Sequence, residues 1–480
     1  MSTTTEKSWR DALPPAGAPT LEIADTATDL DASLRFVERT RTALRFCPGI
    51  GWLHWDGTRW NPEEGEAGAV QLSIAAARAW TAAAATGSDD GRVERTKRAL
   101  GMESLSHINA AVTLAESDPR LRVHHDALDA DPWLLNVKNG TLDLHAGTLR
   151  PHHRAHLCTK LAPAVYTEGA KHPALEKLLA NLEHGAPGLG DFLARCVGAT
   201  LTGDASPEVV ILVQGPGGNG KTTLLESLAS LLGDYVCKLP FESLCASRNG
   251  RSPGGASPDL VRLRGSRLAY ASEGDEAARL DAGAVKLLSG NERVTVRALY
   301  SAPMEINQTW KLWLATNFDP ATDADDSGIW RRLLKLPFPA LAPEHRDPAI
   351  KRELVNDPAA RSALLSWALA GCLDWQARGG GREGLAPPAC VLAATNAYRE
   401  ANNVTGQWYA ELLEEEATLD PNAVTPTAEL RGHYEEWCES VGASALGIKR
   451  LSAFLTDKGL VQVRGRAARG WRGIRFLPQE

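Results

Sequence analysis

Val209-Val210-Ile211-Leu212-Val213-Gln214-Gly215-Pro216-Gly217-Gly218-Asn219-Gly220-Lys221-Thr222-Thr223 is the stretch on which the reading of this chain turns. Its five leading apolar residues, most of them β-branched, predict a buried parallel strand. Leu224 to Leu232 then carry apolar residues at helical spacing. Between strand and helix the turn fits G-x-x-x-x-G-K-[ST], with Gly215, Gly220, Lys221 and Thr222 in the fixed places. Gly215, Pro216, Gly217, Gly218, Asn219, Gly220, Lys221, Thr222 and Thr223 are therefore the expected nucleotide cradle. Glycines let backbone N–H groups converge on phosphate oxygens, and the helix N-terminus adds partial positive charge. Lys221 is expected at the β- and γ-phosphates and the Thr222 hydroxyl on Mg²⁺, with ATP as the nucleotide.

Working outward, 480 residues allow two to four domains. The chain is 43% hydrophobic and 23% charged, with a net charge of −7, as in water-soluble globular proteins. It has no apolar run of about eighteen residues and no N-terminal signal-peptide core, so no membrane is expected. The eight cysteines stand singly, which argues against a zinc ribbon or a disulfide framework and for a reducing cytoplasm.

Residues 1–27 read as a loose leader and 28–120 as an N-terminal α/β region. An amphipathic helix is expected from Asp29 to Arg45. Gly51-Trp52-Leu53-His54-Trp55-Asp56-Gly57-Thr58-Arg59-Trp60 alternates aromatic and polar residues about Asp-Gly, which predicts a hairpin. Its tryptophans suit base stacking or a small hairpin core, and the core is favoured. Helices are expected near 68–86 and 91–116. Residues 121–200 should form a helical and hairpin domain, with an Asn139-Gly140 turn and helix over 173–201. The histidine pairs 124–125 and 152–153 lack a Cys or acidic partner at metal-site spacing and read as surface residues.

Residues 201–376 read as the ATPase. Arg267–Glu273 is a short apolar strand ending in an acid, and Lys311–Asn317 one ending in an amide. Arg293–Asn307 gives two alternating runs with a turn at 301–303, and Arg331 and Arg332 precede a further apolar segment. Ligands of open α/β folds bind at the carboxyl ends of parallel strands. Glu273 is placed to hold Mg²⁺ or polarise water, Asn317 to orient that water, and one arginine to neutralise transition-state charge.

With the phosphate loop, Glu273, Lys286-Leu-Leu-Ser-Gly290 with Arg297, Leu312–Asn317 and Trp330-Arg331-Arg332 in this order, the chain resembles superfamily 3 helicases, in particular the poxvirus, phage and plasmid primase-helicase family. The resemblance covers roughly residues 30–345. It implies an AAA+-like core that assembles as a hexameric ring on DNA, with ATP between subunits and an arginine finger from the neighbour, Arg332 being preferred to Arg331. It also implies a hairpin that grips DNA in the channel. The tip, Ser301-Ala302-Pro303, carries no lysine, so contacts are expected from Lys286, Arg293, Arg297 or Tyr300; Arg297 suits a core-facing ion pair equally well. The family's primases have a separate domain with paired acids. Asp29-Leu30-Asp31 is the nearest pair here, so a helicase working with a separate primase is expected.

Residues 377–480 read as a C-terminal DNA-binding region. Gly379–Gly381 marks a loop, Val391–Leu413 one long helix ending in Glu414–Glu416, and 427–477 two helices and two strands compatible with a winged helix. From Lys449 to Arg475 there are eight basic residues against one acid, among them Arg450, Arg464, Arg466 and Arg469. The whole is a multidomain α/β protein with an AAA+-like P-loop NTPase core, an α-rich N-terminal domain and a winged-helix C-terminal domain. The expected function is an ATP-dependent replicative helicase of a phage or mobile element in the cytoplasm of a bacterial host cell, acting on single-stranded and forked DNA. The alternative is a nucleotide-switched initiator that binds an origin without robust unwinding.

Overall fold

The computed structural model describes residues 27–86, 90–184, 186–245, 258–272, 278–297, 303–322, 326–341, 346–443, 445–464 and 469–478. Five parallel strands make the central sheet: β1 (Val210–Gln214), β2 (Val236–Lys238), β3 (Leu268–Ser272), β4 (Lys311–Thr316) and β5 (Leu333–Pro337). Their spatial order is 5-1-4-3-2. The helices that matter here are α1 (Pro173–Glu183), α2 (Leu189–Leu201), α3 (Lys221–Leu232), α4 (Ala282–Ser289), α5 (Pro348–Asn356) and α6 (Pro358–Ala377).

Because strand side chains alternate, β1 and β4 build two cores. Ile211, Val213, Trp313 and Ala315 pack with Leu224 and Leu228 of α3 and with α1, α2 and α6. Val210, Leu212, Leu312 and Leu314 face the other way, toward Val285 and Leu288 of α4. The chain leaves β1 for the far edge of the sheet and returns strand by strand through β3 and β4 to β5. Parallel crossovers are right-handed, so opposite directions of travel send α3 and α4 to opposite faces. The loops after β1 and β4 therefore diverge and leave a crevice at the carboxyl edge.

Several expected boundaries shift for local reasons. The helix expected over 173–201 is two helices, because Gly188 adopts φ +79 and its N–H, with that of Gly190, donates to the Glu183 carboxylate. The helical stretch near 347–376 breaks at Asp357-Pro358, where Asp357 caps α6 by accepting from the Ala359 N–H. The helix expected over 391–413 is interrupted at Asn402-Asn403, and Asn403 caps the second piece through Gly406 N–H. The stretch near 91–116 is likewise two helices, Arg92–Gly101 and Leu105–Ala115. Across the boundary expected at 200/201 one hydrophobic core is continuous, running from Leu135 and Val137 through α1, α2 and the sheet to Trp375 and Val391.

At the N-terminal end the tryptophan hairpin holds its own core. Trp52 and Trp60 are buried, Trp52 packs edge-on against Phe36 and Phe46, and the Trp60 indole donates to Arg154 O. At the C-terminal end a separate core joins Trp408, Tyr434, Leu451, Leu455 and Trp471. Its sheet contains a strand absent from the sequence reading, Ala417–Pro426, which pairs with Arg469–Phe476 through a bulge between Asp420 and Val424. The element order is helix (Val404–Glu411), strand, helix (Thr427–Ser440), helix (Ile448–Asp457) and two strands.

One buried charge carries a pH prediction. Lys311, at the amino end of β4, is fully enclosed, and its Nζ donates to Thr202 O (2.7 Å) and Thr202 Oγ1 (3.1 Å). Burial, helped by the nearby Arg267 guanidinium, pushes its ammonium down to about 7. Between about 7 and the unfolded lysine value, the unfolded chain holds the extra proton, so stability rises with pH in that window. The slope contributed by one proton is at most about 1.4 kcal/mol per pH unit. Thermal melts from pH 7 to 9.5 should show this rise in the wild type and its loss in Lys311→Met. Equal slopes for the two proteins would show that Lys311 is not the titrating group.

Candidate nucleotide site

The glycine-rich loop leaves β1 into the crevice. Its shape depends on missing side chains: a Cβ on Gly215 would stand 2.4 Å from both Asn219 Nδ2 and Phe338 O, and Gly220 adopts φ +96. The loop is pinned from β5 as well, since Asn219 Nδ2 donates to Phe338 O (3.2 Å) and Phe338 N–H to Gln214 O (2.7 Å). Gln214 Nε2 donates to Asn317 O (3.3 Å), which ties the end of β1 to the end of β4 across the crevice floor.

Lys221 opens α3 and is buried. Its Nζ donates to Gly215 O, Pro216 O (2.9 Å) and Asn219 Oδ1 (3.0 Å), which satisfies all three ammonium hydrogens within the loop. Burial lowers its proton affinity below the ordinary lysine value. The first intrahelical bond of α3 runs from Leu224 N–H to Gly220 O, so the N–H groups ahead of it are the helix's unpaired first-turn donors. Gly217–Thr223 line a cavity of about 390 Å³, closed by Asn317 from β4, Leu178 and Asn181 from α1, and Leu341, Arg346, Asp347, Pro348, Ile350 and Lys351. Converging glycine N–H groups, a helix N-terminus, an exposed Thr222 hydroxyl and a lysine held by replaceable oxygens fit a triphosphate with Mg²⁺.

Two features of this cavity escape sequence reading. Arg346 stands over the loop, its Nη1 3.3 Å from where a Cβ on Gly218 would be, and its Nε donates to Leu341 O (3.1 Å). The α1 wall comes from a segment assigned to a preceding domain. Neither belongs to a local motif; only the packing of α1 and α5 beside α3 brings them in.

The remaining expected site residues fall in three groups. Glu273, Tyr300 and Arg466 lie outside the described residues. Arg331 and Arg332 sit at the amino edge of the sheet, just before Leu333, which pairs with Val210. That is the end opposite the glycine loop, roughly 20 Å away at strand rise. The preferred Arg332 is buried, donating to Glu208 Oε2 (3.1 Å) and Gly328 O (3.0 Å), whereas Arg331 is exposed.

Residues expected on DNA divide too. Val294–Val296 and Met304–Ile306 form the expected hairpin with Arg293 and Glu305 paired on its exposed face (3.5 Å). Arg297 is exposed at the end of the first strand of this hairpin. Lys286 is committed to Asp326 (2.7 Å), whose carboxyl it holds below the usual range, and so braces the short helix before Arg331. Lys449, Arg450, Arg464 and Arg469 are exposed on the C-terminal unit. Arg464 and Arg469 are direct cross-strand partners.

The two histidine pairs sit in different surroundings. His124, His125 and Asp126 bring three ligand-type atoms within 4.8 Å of one another, so an acid does accompany the first pair. His152 instead bonds Asn136 Oδ1 (2.9 Å), and His153 caps a turn through Ala155 N–H.

Comparison with known proteins adds a family likeness to this geometry. Residues 33–182 match the family described as D5 N terminal like. A protein of Acanthamoeba polyphaga mimivirus, provisionally named a helicase, is 30% identical over 216 residues, covering 44% of this chain and 22% of its own length. A protein of African swine fever virus, provisionally named a primase, is 25% identical over 361 residues, covering 72% of this chain and 37% of its own. The chain thus spans between about a fifth and two fifths of these relatives. A solved structure described as the NrS-1 C terminal region is 13% identical with a TM-score of 0.42, covering 65% of this chain and 77% of that one. The likeness is to viral proteins whose names are helicase and primase. Both curated relatives come from viruses of eukaryotes, so they give no support to the bacterial host. No described helix is long and apolar enough to cross a membrane.

Proposed function

We propose that this protein is an ATP-driven DNA helicase of the superfamily 3 primase-helicase type, with an AAA+-like core that works as a ring, a hexamer by resemblance. The observation that carries the reading is the single cavity shared by the glycine loop, Lys221, Thr222 and Asn317 at the carboxyl edge of a parallel sheet. Lys221 exchanges Gly215, Pro216 and Asn219 oxygens for phosphate oxygens. Thr222, with Glu273 by resemblance, would hold Mg²⁺, which neutralises phosphate charge when bound. Asn317 orients the attacking water, Arg346 supplies a cation from the same chain, and Arg331 of a neighbouring protomer supplies the one that answers transition-state charge. Arg331 replaces Arg332 in this role because Arg332 is engaged within its own chain.

DNA is held at two places in this reading, by Arg293 and Arg297 with Tyr300 on the central hairpin and by a winged-helix-like C-terminal unit. Arg464 opposite Arg469 is a like-charge pair that a phosphate would relieve. The double variant Arg464→Gln/Arg469→Gln should weaken DNA binding and lower the salt-dependence slope by about 1.4–1.8, with DNA-free ATP hydrolysis unchanged. An unchanged slope would remove these two arginines from the interface. The function itself is tested by strand displacement on forked DNA with a separate primase absent: the wild type should unwind with ATP and Lys221→Ala should not. Nucleotide-dependent DNA binding without unwinding would overturn the motor.

A further inference from the structure

We propose that His124, His125 and Asp126 hold a divalent ion of the zinc type, and that Glu305 of the central hairpin completes its shell across a cavity they share. The inference is independent of the nucleotide reading and concerns the opposite, amino edge of the sheet.

The turn His125–Ala127 gathers the three side chains. Its backbone is fixed from both sides: Val123 and Leu128 are buried beside Trp60, and Arg264 Nη2 donates to His125 O (3.1 Å). His124 Nδ1 accepts from Asp126 N–H (3.3 Å), so that nitrogen presents a lone pair. His125 Nδ1 stands 3.2 Å from the same nitrogen and, in a neutral ring, must be the N–H that donates to it. The Nε2 lone pair of His125 then faces Asp126 Oδ1 at 3.6 Å, and His124 Nδ1 faces Asp126 Oδ2, also at 3.6 Å. Acceptors face acceptors in the neutral cluster, a conflict that a cation resolves. A tetrahedral ion with bonds of about 2.0–2.2 Å spaces its ligand atoms roughly 3.3–3.6 Å apart, which the carboxylate and both rings already approach. Two imidazoles with a carboxylate suit zinc better than magnesium or calcium.

The cluster opens on a cavity of about 200 Å³, lined by His125 and Asp126 together with Asp129, Arg264, Glu305 and Gln308. Three carboxylates outweigh one guanidinium there, and that guanidinium is engaged by His125 O. Gln308 is buried, with Nε2 donating to Leu288 O (2.8 Å) and Oε1 left without a partner. Buried amide oxygens ordinarily find partners, so this wall calls for a cation or for the hydrogens of a water bound to one. Glu305 can turn to the ion, because its partner Arg293 stands 3.5 Å away in a solvent-exposed pair of little strength. It lies on the strand Met304–Ile306, so a shared ion would tie the root of the central hairpin to the N-terminal region.

The test is titration of the chelator-treated full chain with Zn²⁺ against a chromophoric competitor. The wild type should bind one ion per chain. The double variant His124→Ala/His125→Ala should weaken binding at least about 100-fold, since losing an outer-shell partner alone costs about 10–100-fold. Glu305→Gln should weaken it by about tenfold or more. Zn²⁺ should raise the melting temperature of the wild type and leave that of the double variant unchanged, a readout that also shows whether the variant folds. Co²⁺ in place of Zn²⁺ should give the visible bands of a nitrogen and oxygen site, without thiolate charge transfer. Equal affinity in wild type and double variant, no stoichiometric ion, or a thiolate band from the scattered cysteines would overturn the site. An ion held by the histidines but indifferent to Glu305→Gln would overturn the bridge to the hairpin.

Discussion

Lys221→Ala should lower ATP hydrolysis by about 10²–10³-fold, the loss typical of removing one preorganised charge-stabilising donor. The expectation follows from where the ammonium stands. It is buried at the head of α3, and all its present partners are oxygens of the loop that phosphates can replace. The same geometry predicts little harm to folding. Alanine removes a buried cation whose desolvation offsets much of its hydrogen bonding, and the loop keeps its tie from Asn219 to Phe338. Melting within a few degrees of wild type, together with the lost hydrolysis, is the expected pair of results. A variant that still hydrolyses ATP at a tenth of the wild-type rate would remove Lys221 from the site.

A loss as large or larger is expected from Arg331→Ala, because transition-state arginines contribute about 10³–10⁵ in rate where measured. Arg331 is exposed at the sheet edge opposite Lys221, so no motion short of unfolding brings the two together in one chain. In the proposed ring it comes from a neighbour. Mixing inactive Lys221→Ala and Arg331→Ala proteins should therefore restore hydrolysis, because some seams then pair an intact lysine with an intact arginine. Arg332→Ala should behave otherwise, losing about 1 kcal/mol of stability after discounting for solvent at the half-exposed Glu208, with hydrolysis largely kept. Failure of the mixture to recover any activity, with both proteins folded and assembled, would refute the shared seam.

How far the sequence alone reaches is clear from particular residues. Val210–Gln214, the glycine loop and α3 are contiguous, so period-two burial, turn chemistry and helical spacing all sit in one short stretch. The hairpin at Val294–Ile306 was legible for the same reason. The different surroundings of Arg331 and Arg332 were not, because identical neighbours differ only in what Glu208 and Gly328 do with one of them. The strand at Ala417–Pro426 was hidden by Asp420-Pro421-Asn422, residues of turn chemistry that the fold absorbs in a bulge. Leu178, Asn181 and Arg346 carry no motif, and they reach the cavity only through the tertiary placement of α1 and the approach to α5.

The continuity of the core from Leu135 to Val391 has a practical consequence for dissecting the molecule. A clone begun at residue 201, where a motif-based map would cut, strips α1 and α2 from the sheet and bares the leucines they cover. Such a fragment should precipitate or require detergent, and its failure to cleave ATP would say nothing about the missing segment's biology. A piece intended to stand for the engine has to begin upstream of the Leu134–Val137 strand.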